Sequence, residues 1–148
     1  MIRTTMVALL LAVVPTTTLG AQVRGMGSGA VIAKIQLVVD QAEATGNEVV
    51  RVEADLIRSE QVTFRSMQSG YTYGVVVVGS NRVQDIDVEI HRQVGDTWVL
   101  VAKDDDTSAV AAVTVAPSTT GVYRVTTRVY RFKSGYDVGH YGLIVFHN

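Results

Sequence analysis

The sequence contains no cysteine and only two prolines, Pro15 and Pro117. The first absence removes thiol catalysis, thiolate metal ligands and disulfide cross-links together. Whatever fold the chain adopts must be held by core packing. Charge of one sign is also lacking, since 13 Lys and Arg stand against 14 Asp and Glu. No clustered basic surface marks a nucleic-acid partner, and none is expected. Long apolar runs are short as well: the N-terminal run from Met6 to Val14 has nine residues, against the ~20 needed to span a bilayer.

That short run has another use. Arg3 precedes it, and Pro15, a threonine stretch and "LGA" follow it, the three-part layout of a secretory signal peptide. Residues 1–21 are therefore expected to be a signal peptide, cleaved after Ala21 or after Gly20. The protein is expected to be exported, to the periplasm or beyond, with no membrane span in the mature chain. Without cysteine there is no lipid-modified N-terminal residue. A mature chain of 127 residues, 148 less 21, suits one domain with one core.

Residues 22–46 are expected to hold a glycine-rich linker ("QVRGMGSG") and an amphipathic helix. Val31, Ile32, Ile35, Val38, Val39 and Ala42 recur at three- and four-residue spacing, which makes one apolar stripe of about four turns. Ser28 is expected to cap its start and Gly46 to end it. From residue 47 to 148 the period becomes two. Val50, Val52, Ala54 and Leu56 are expected to face one way and Arg51, Glu53 and Asp55 the other, and then Val62 and Phe64 are expected inward, with Thr63 and Arg65 outward. "YTYGVVVVGS" is apolar on both sides, as a centrally placed strand covered on both faces should be. About eight short strands follow one another at ten- to twelve-residue spacing, with no helical crossovers between them. The expected fold is all-β: an antiparallel jelly-roll-like or Greek-key β-sandwich of about eight strands with one N-terminal amphipathic α-helix.

Three groups of residues carry possible chemistry. "VQDIDVEIHR" (83–92) sets Asp85, Asp87, Glu89 and His91 on one strand face, and "KDDDTS" (103–108) follows. If that acidic segment folds back beside the strand, Asp85, Asp87, Asp104 and Asp106 supply carboxylate oxygens for calcium. The alternative is the wet face of a half-buried strand and its following turn. The second group is "VYRVTTRVYRF", in which Arg124, Arg128, Tyr130 and Phe132 share one face by alternation. Arginine and aromatic groups on an outer sheet face can stack on an extracellular glycan or anchor a protein, or form an ordinary exposed face of high β-propensity. The third group is His91, His140 and His147, read as surface histidines because no pair has metal-ligand spacing. The serine in "GMGSG" lacks nucleophile-elbow and P-loop spacing, and an exposed strand perturbs no carboxylate pKa for acid–base work. No catalytic residue is expected.

From about Tyr71 onward the order of features carries a resemblance. "YTYGVVVVG", "DIDVEI", "WVLVAKDDDTS", "TTGVYRV" and "YGLIVF" resemble the bacterial pre-peptidase C-terminal-type β-sandwich over about half the chain. The resemblance implies a secreted, non-catalytic module, some of whose relatives bind calcium or extracellular polymers. It places Asp85 and Asp87 at the paired strand aspartates, Asp104 to Asp106 in the acidic loop, and Gly121 and Tyr123 in a structural "GxY" element. No catalytic domain precedes the sandwich here, which implies a stand-alone small protein in place of an appendage. The expected function is a structural or binding role without catalysis. A calcium-dependent glycan- or protein-binding module is the alternative, and a hydrolase accessory or enzyme the third reading.

Overall fold

The computed structural model describes residues 27–148; the expected signal peptide and the start of the glycine-rich stretch lie outside them. One helix and eight strands follow in order: α1 (Ser28–Ala44), β1 (Glu48–Ile57), β2 (Glu60–Met67), β3 (Tyr73–Gly79), β4 (Val83–Val94), β5 (Thr97–Asp104), β6 (Val110–Val115), β7 (Gly121–Phe132) and β8 (Gly139–His147). They form two antiparallel four-stranded sheets, in the orders β1-β8-β3-β6 and β2-β7-β4-β5. Successive strands mostly alternate between the sheets, which is the connectivity of a jelly roll. Among the described residues no helix is long and apolar enough to cross a membrane.

The core lies between the sheets. Val75, Val77, Leu143 and Val145 on one side meet Ile86, Val88, Ile90, Val125 and Met67 on the other. Tyr123 is buried among them, and its hydroxyl donates to the Thr119 carbonyl at 3.3 Å. A second cluster sits on the back of the first sheet, where Val31 and Ile35 of α1 cover Val76, Val78 and Ile144. β3 is thus apolar on both faces because it is covered on both. The helix comes close because Gly142 has no side chain: a Cβ there would stand 2.5 Å from Ile35 Cδ1. Gly46, at φ +81°, ends the helix as expected. Its start differs, since Gly27 occupies the N-cap position and no side chain caps the first turn.

The two edge strands β1 and β2 keep their apolar sides out of the core between the sheets, which for β2 reverses the expected facing. In β1, Val52, Ala54 and Leu56 stand across from Ile144, Gly142 and His140, on the helix side. Val50, Val52 and Leu56 are 45–50% exposed, because α1 reaches this edge strand only in part. Arg51, Glu53 and Asp55 face the other sheet. In β2, Thr63, Arg65 and Met67 point inward, opposite Val125, Tyr123 and Gly121, while Val62 and Phe64 point out. The two edge strands meet along one flank of the sandwich, where Arg65 and Arg51 both pair with Glu53. Inward charges close this open flank and leave the strand edges poorly suited to pairing with another chain.

Candidate functional face of the second sheet

The back of the first sheet is covered by α1, but nothing among the described residues lies over the outer face of β2-β7-β4-β5. Pairing fixes what stands there. One row runs Phe64, Arg124, His91, Leu100 across β2, β7, β4 and β5. The next row toward the "DID" end is Val62, Thr126, Glu89, Lys103, and beyond it Glu60, Arg128 and Asp87. Trp98 enters from β5, just after the Gly95 turn (φ +59°), opposite Gln93. Its ring reaches Phe64 with centroids 5.5 Å apart, and the Arg124 guanidinium lies 5.2 Å from its centroid. Arg124 Nε and His91 Nδ1 are buried, with no hydrogen-bond partner among the described residues. Phe64 is 53% exposed, and Val62, Leu100 and Val122 between 42% and 47%. The result is a ridge of aromatic rings and one cation in which Trp98 and Arg124 are half-buried, while Phe64 and the aliphatic side chains beside it stand in water.

Of the four side chains that the sequence pattern puts on this face, Arg124 and Arg128 are here, and Tyr130 is exposed on the same alternation. Phe132 is not. Two register shifts beside Asp85 offset β4 from the end of β7, and Phe132 packs against the core near Val83. Phe64 and Trp98 are missing from the sequence-derived set. Alternation puts Phe64 on the inner face, and Trp98 lies in "WVLVA", an apolar run whose period gives no face. The isolated tryptophan next to a two-residue hairpin loop is the usable signal.

The acidic residues do come together in part. Asp87 lies on the outer face, and its carboxyl is pushed above the usual range, first by burial and then by the carboxylates of Asp85, Asp105 and Asp104, against a smaller opposing pull from Arg128. Their oxygens are engaged separately, however. Asp85 is 4% exposed and accepts the Ser108 N–H at 3.3 Å, anchoring the loop before β6. Asp104 accepts the Ala112 N–H at 2.8 Å and the Asp106 N–H at 3.1 Å. Asp105 pairs with Lys103, and Asp106 is exposed. Among the described residues no group of three or more acidic or histidine side chains is arranged to hold a metal ion. The sequence-derived calcium ligands thus include two structural anchors, Asp85 on β4 and Asp104 on β5.

The histidines are less exposed than expected: all three are intermediate in burial, and each buries its Nδ1. His140 shares a hollow of about 250 Å³ with Ser28 and Asp55 beside α1. Those three residue types invite comparison with a hydrolase triad, but no hydrogen bond or ion pair joins His140 to Asp55 among the described contacts. The Asp55 carboxylate instead accepts the Leu56 N–H at 2.7 Å. A relay needs its base held by the third group, and here it is not.

No family model matches the chain, and no curated protein matches it. Among solved structures it is similar to Aeromonas hydrophila PliG, a periplasmic lysozyme inhibitor of g-type lysozyme. The two share 13% identity at a TM-score of 0.50, over 70% of this chain and 90% of that one. The Yersinia pseudotuberculosis-derived mitogen aligns at 13% identity and a TM-score of 0.49, over 64% and 82% of the two chains. The likeness to PliG is one of fold. It agrees with the antiparallel β-sandwich described above.

Proposed function

We propose that the chain is an exported, non-catalytic protein-binding module whose contact surface is the outer face of the β2-β7-β4-β5 sheet. The observation that carries this reading is the Trp98–Arg124–Phe64 ridge, in which the exposed Phe64 ring lies against half-buried Trp98, itself stacked with Arg124. Tryptophan, aromatic and arginine side chains contribute disproportionately to protein contacts, and clustered exposed apolar groups mark such contacts. Supporting it, the PliG fold serves a periplasmic inhibitor of another protein, and the pre-peptidase C-terminal-type resemblance implies a secreted, non-catalytic role. A protein fits the ridge better than a sugar does, because Arg124 already occupies one face of the Trp98 ring.

Site-specific photocrosslinking in the host that makes the protein tests this. A photoreactive side chain at position 64 or 122 should give a discrete protein adduct, and one at position 37 on the far side of α1 should not. The partner identified by mass spectrometry, once purified, should bind the wild type and lose at least about tenfold in affinity to Phe64→Ala/Trp98→Ala. Adducts only from position 37, or an unchanged affinity of the double variant, would refute the assignment. Binding to a glycan array through the same residues would replace protein with carbohydrate as the partner.

A further inference from the structure

The partner's charge follows from how the cations of this face are engaged. Among the described residues, Arg128, Lys103 and Arg124 lie on it. Arg128 donates to Glu60 from Nη2 at 2.6 Å and from Nε at 3.1 Å. Lys103 is tied to Asp105, and Arg124 is stacked on Trp98. None of them forms an ion pair with Asp87 or Glu89, which occupy the outer face of β4, between its neighbours β7 and β5. Within ion-pair distance Glu89 has only the His91 imidazole, Nε2 at 3.8 Å, among the described residues, and Asp87 has no ion-pair partner among them. Asp104 and Asp105 add negative charge beside it. Net negative charge therefore sits beside the aromatic ridge, since Lys103 and Arg128 attract Asp87 and Glu89 without pairing with them and are each held by another acid. Asp87 and Glu89 are two residues apart on one strand face, roughly 7 Å.

We infer that the outer face selects a cationic protein partner, one that sets a lysine or arginine between Asp87 and Glu89 while a neighbouring apolar side chain packs on Phe64 and Trp98. This inference rests on the reading of the face as a protein-contact surface. Its physical basis is complementarity: an incoming cation relieves the repulsion among the acids and forms charge-assisted hydrogen bonds. The Arg–aromatic ridge fixes position and excludes water around the new pair. The raised Asp87 carboxyl is in keeping with the same crowding.

A peptide selection tests the charge preference even before the partner has been identified. A random dodecapeptide phage library is selected on the mature protein and counter-selected on Trp98→Ala. The recovered peptides should be enriched in lysine or arginine near an aromatic or aliphatic residue. Their affinity should fall about tenfold between about 0.05 M and 0.5 M salt, and by a similar factor in Asp87→Asn/Glu89→Gln, a double variant that keeps the shapes and removes the charges. Phe64→Ala provides a second variant for the ridge, and circular dichroism confirms that each variant is folded. Peptides that depend on Trp98 but are neutral or acidic, or whose binding ignores salt and the double variant, would overturn the cationic preference and leave the contact face standing. Recovery of no Trp98-dependent peptides would overturn both.

Discussion

Asp104→Ala and Asp87→Asn should move stability in opposite directions, although the two aspartates lie one pairing step apart on neighbouring strands. Asp104 accepts two backbone N–H groups, Ala112 at 2.8 Å and Asp106 at 3.1 Å. A hydrogen bond to a charged group contributes about 1.5–3 kcal/mol net, but Ala112 lies at a strand edge, where water can replace part of what is lost. A loss of about 1–2 kcal/mol is expected, which for a chain of this size lowers the melting temperature by about 5 °C. Asp87 behaves differently. Its carboxyl titrates above the usual range, so the folded state holds the proton more tightly than the unfolded chain. That contribution is fully present below the ordinary carboxylate pKa and disappears as pH rises through the raised folded value. At neutral pH the ionised Asp87 is therefore a burden on the fold. Because the side chain is still partly open to solvent, screening keeps the effect near about 0.5 kcal/mol. Asp87→Asn should raise the midpoint by about 2 °C at pH 7 and leave it unchanged at a pH of about 3, where the carboxyl is already protonated.

Thermal unfolding followed by circular dichroism at both pH values, with and without millimolar calcium, reads all of this. An Asp104→Ala variant as stable as wild type, or an Asp87→Asn variant that is less stable, would refute these roles for the two aspartates. A calcium-induced rise in the wild-type midpoint that Asp87→Asn abolishes would establish the calcium-dependent module in their place.

Three further outcomes are expected. Gly142→Ala forces a methyl to 2.5 Å from Ile35 Cδ1 and should cost about 1–3 kcal/mol, read as a lower denaturant midpoint. Gly74→Ala, facing the ring of half-buried Phe146, should cost less because the ring can swing outward; equal losses would refute that distinction. Glu53→Gln leaves Arg65 without its counter-charge on the β1–β2 flank and should destabilise by about 1–3 kcal/mol, whereas Glu60→Gln at the exposed Arg128 pair should change stability by less than about 1 kcal/mol. Phe64→Ala should cost under about 1 kcal/mol in folding, since its side chain is half in water, while Met67→Ala three residues on, fully buried, should cost about 2–5 kcal/mol; chemical denaturation of the two variants tests the contrast.

The eight strands and the helix were legible because the hydrophobic period is set by backbone geometry alone. Which face turns inward was legible in β4 and β7, whose apolar sides do form the core. In β1 the apolar side belongs to the helix layer and the charged side closes the flank between the sheets. Period two cannot tell these from core and solvent. In β2 the side with Thr63 and Arg65 likewise turns inward, with Arg65 on the flank, which leaves Phe64 on the outer face. Asp85 was legible as an acidic residue but not as an anchor, because the register shifts beside it depend on β7 and on the loop ending at Ser108, both distant in sequence. Phe132 turns inward through those same shifts. The acidic loop does return to the strand, as the sequence allowed, but what its oxygens engage is decided by backbone N–H groups that no side-chain pattern reveals.

The two outer faces of the sandwich show why the ridge points to a partner. Val76, Val78 and Ile144 make the back of the first sheet apolar, and α1 covers them. Among the described residues the opposite face has no such layer, and in its middle it carries polar side chains, buried Thr126 and half-buried Glu89 and Asp87. Stability asks nothing more of that face. β-branched and polar side chains supply its propensity without rings, and the core beneath is already closed by Val88, Ile90 and Val125. Phe64, with half-buried Trp98 beside it, therefore adds exposed apolar surface in a chain with no disulfide to offset any loss of solubility or stability. They are also gathered around one stacked arginine and are not scattered singly, as incidental surface hydrophobics usually are. A clustered ridge that the core does not require, on a face that nothing among the described residues covers, is best explained by a second molecule that covers it.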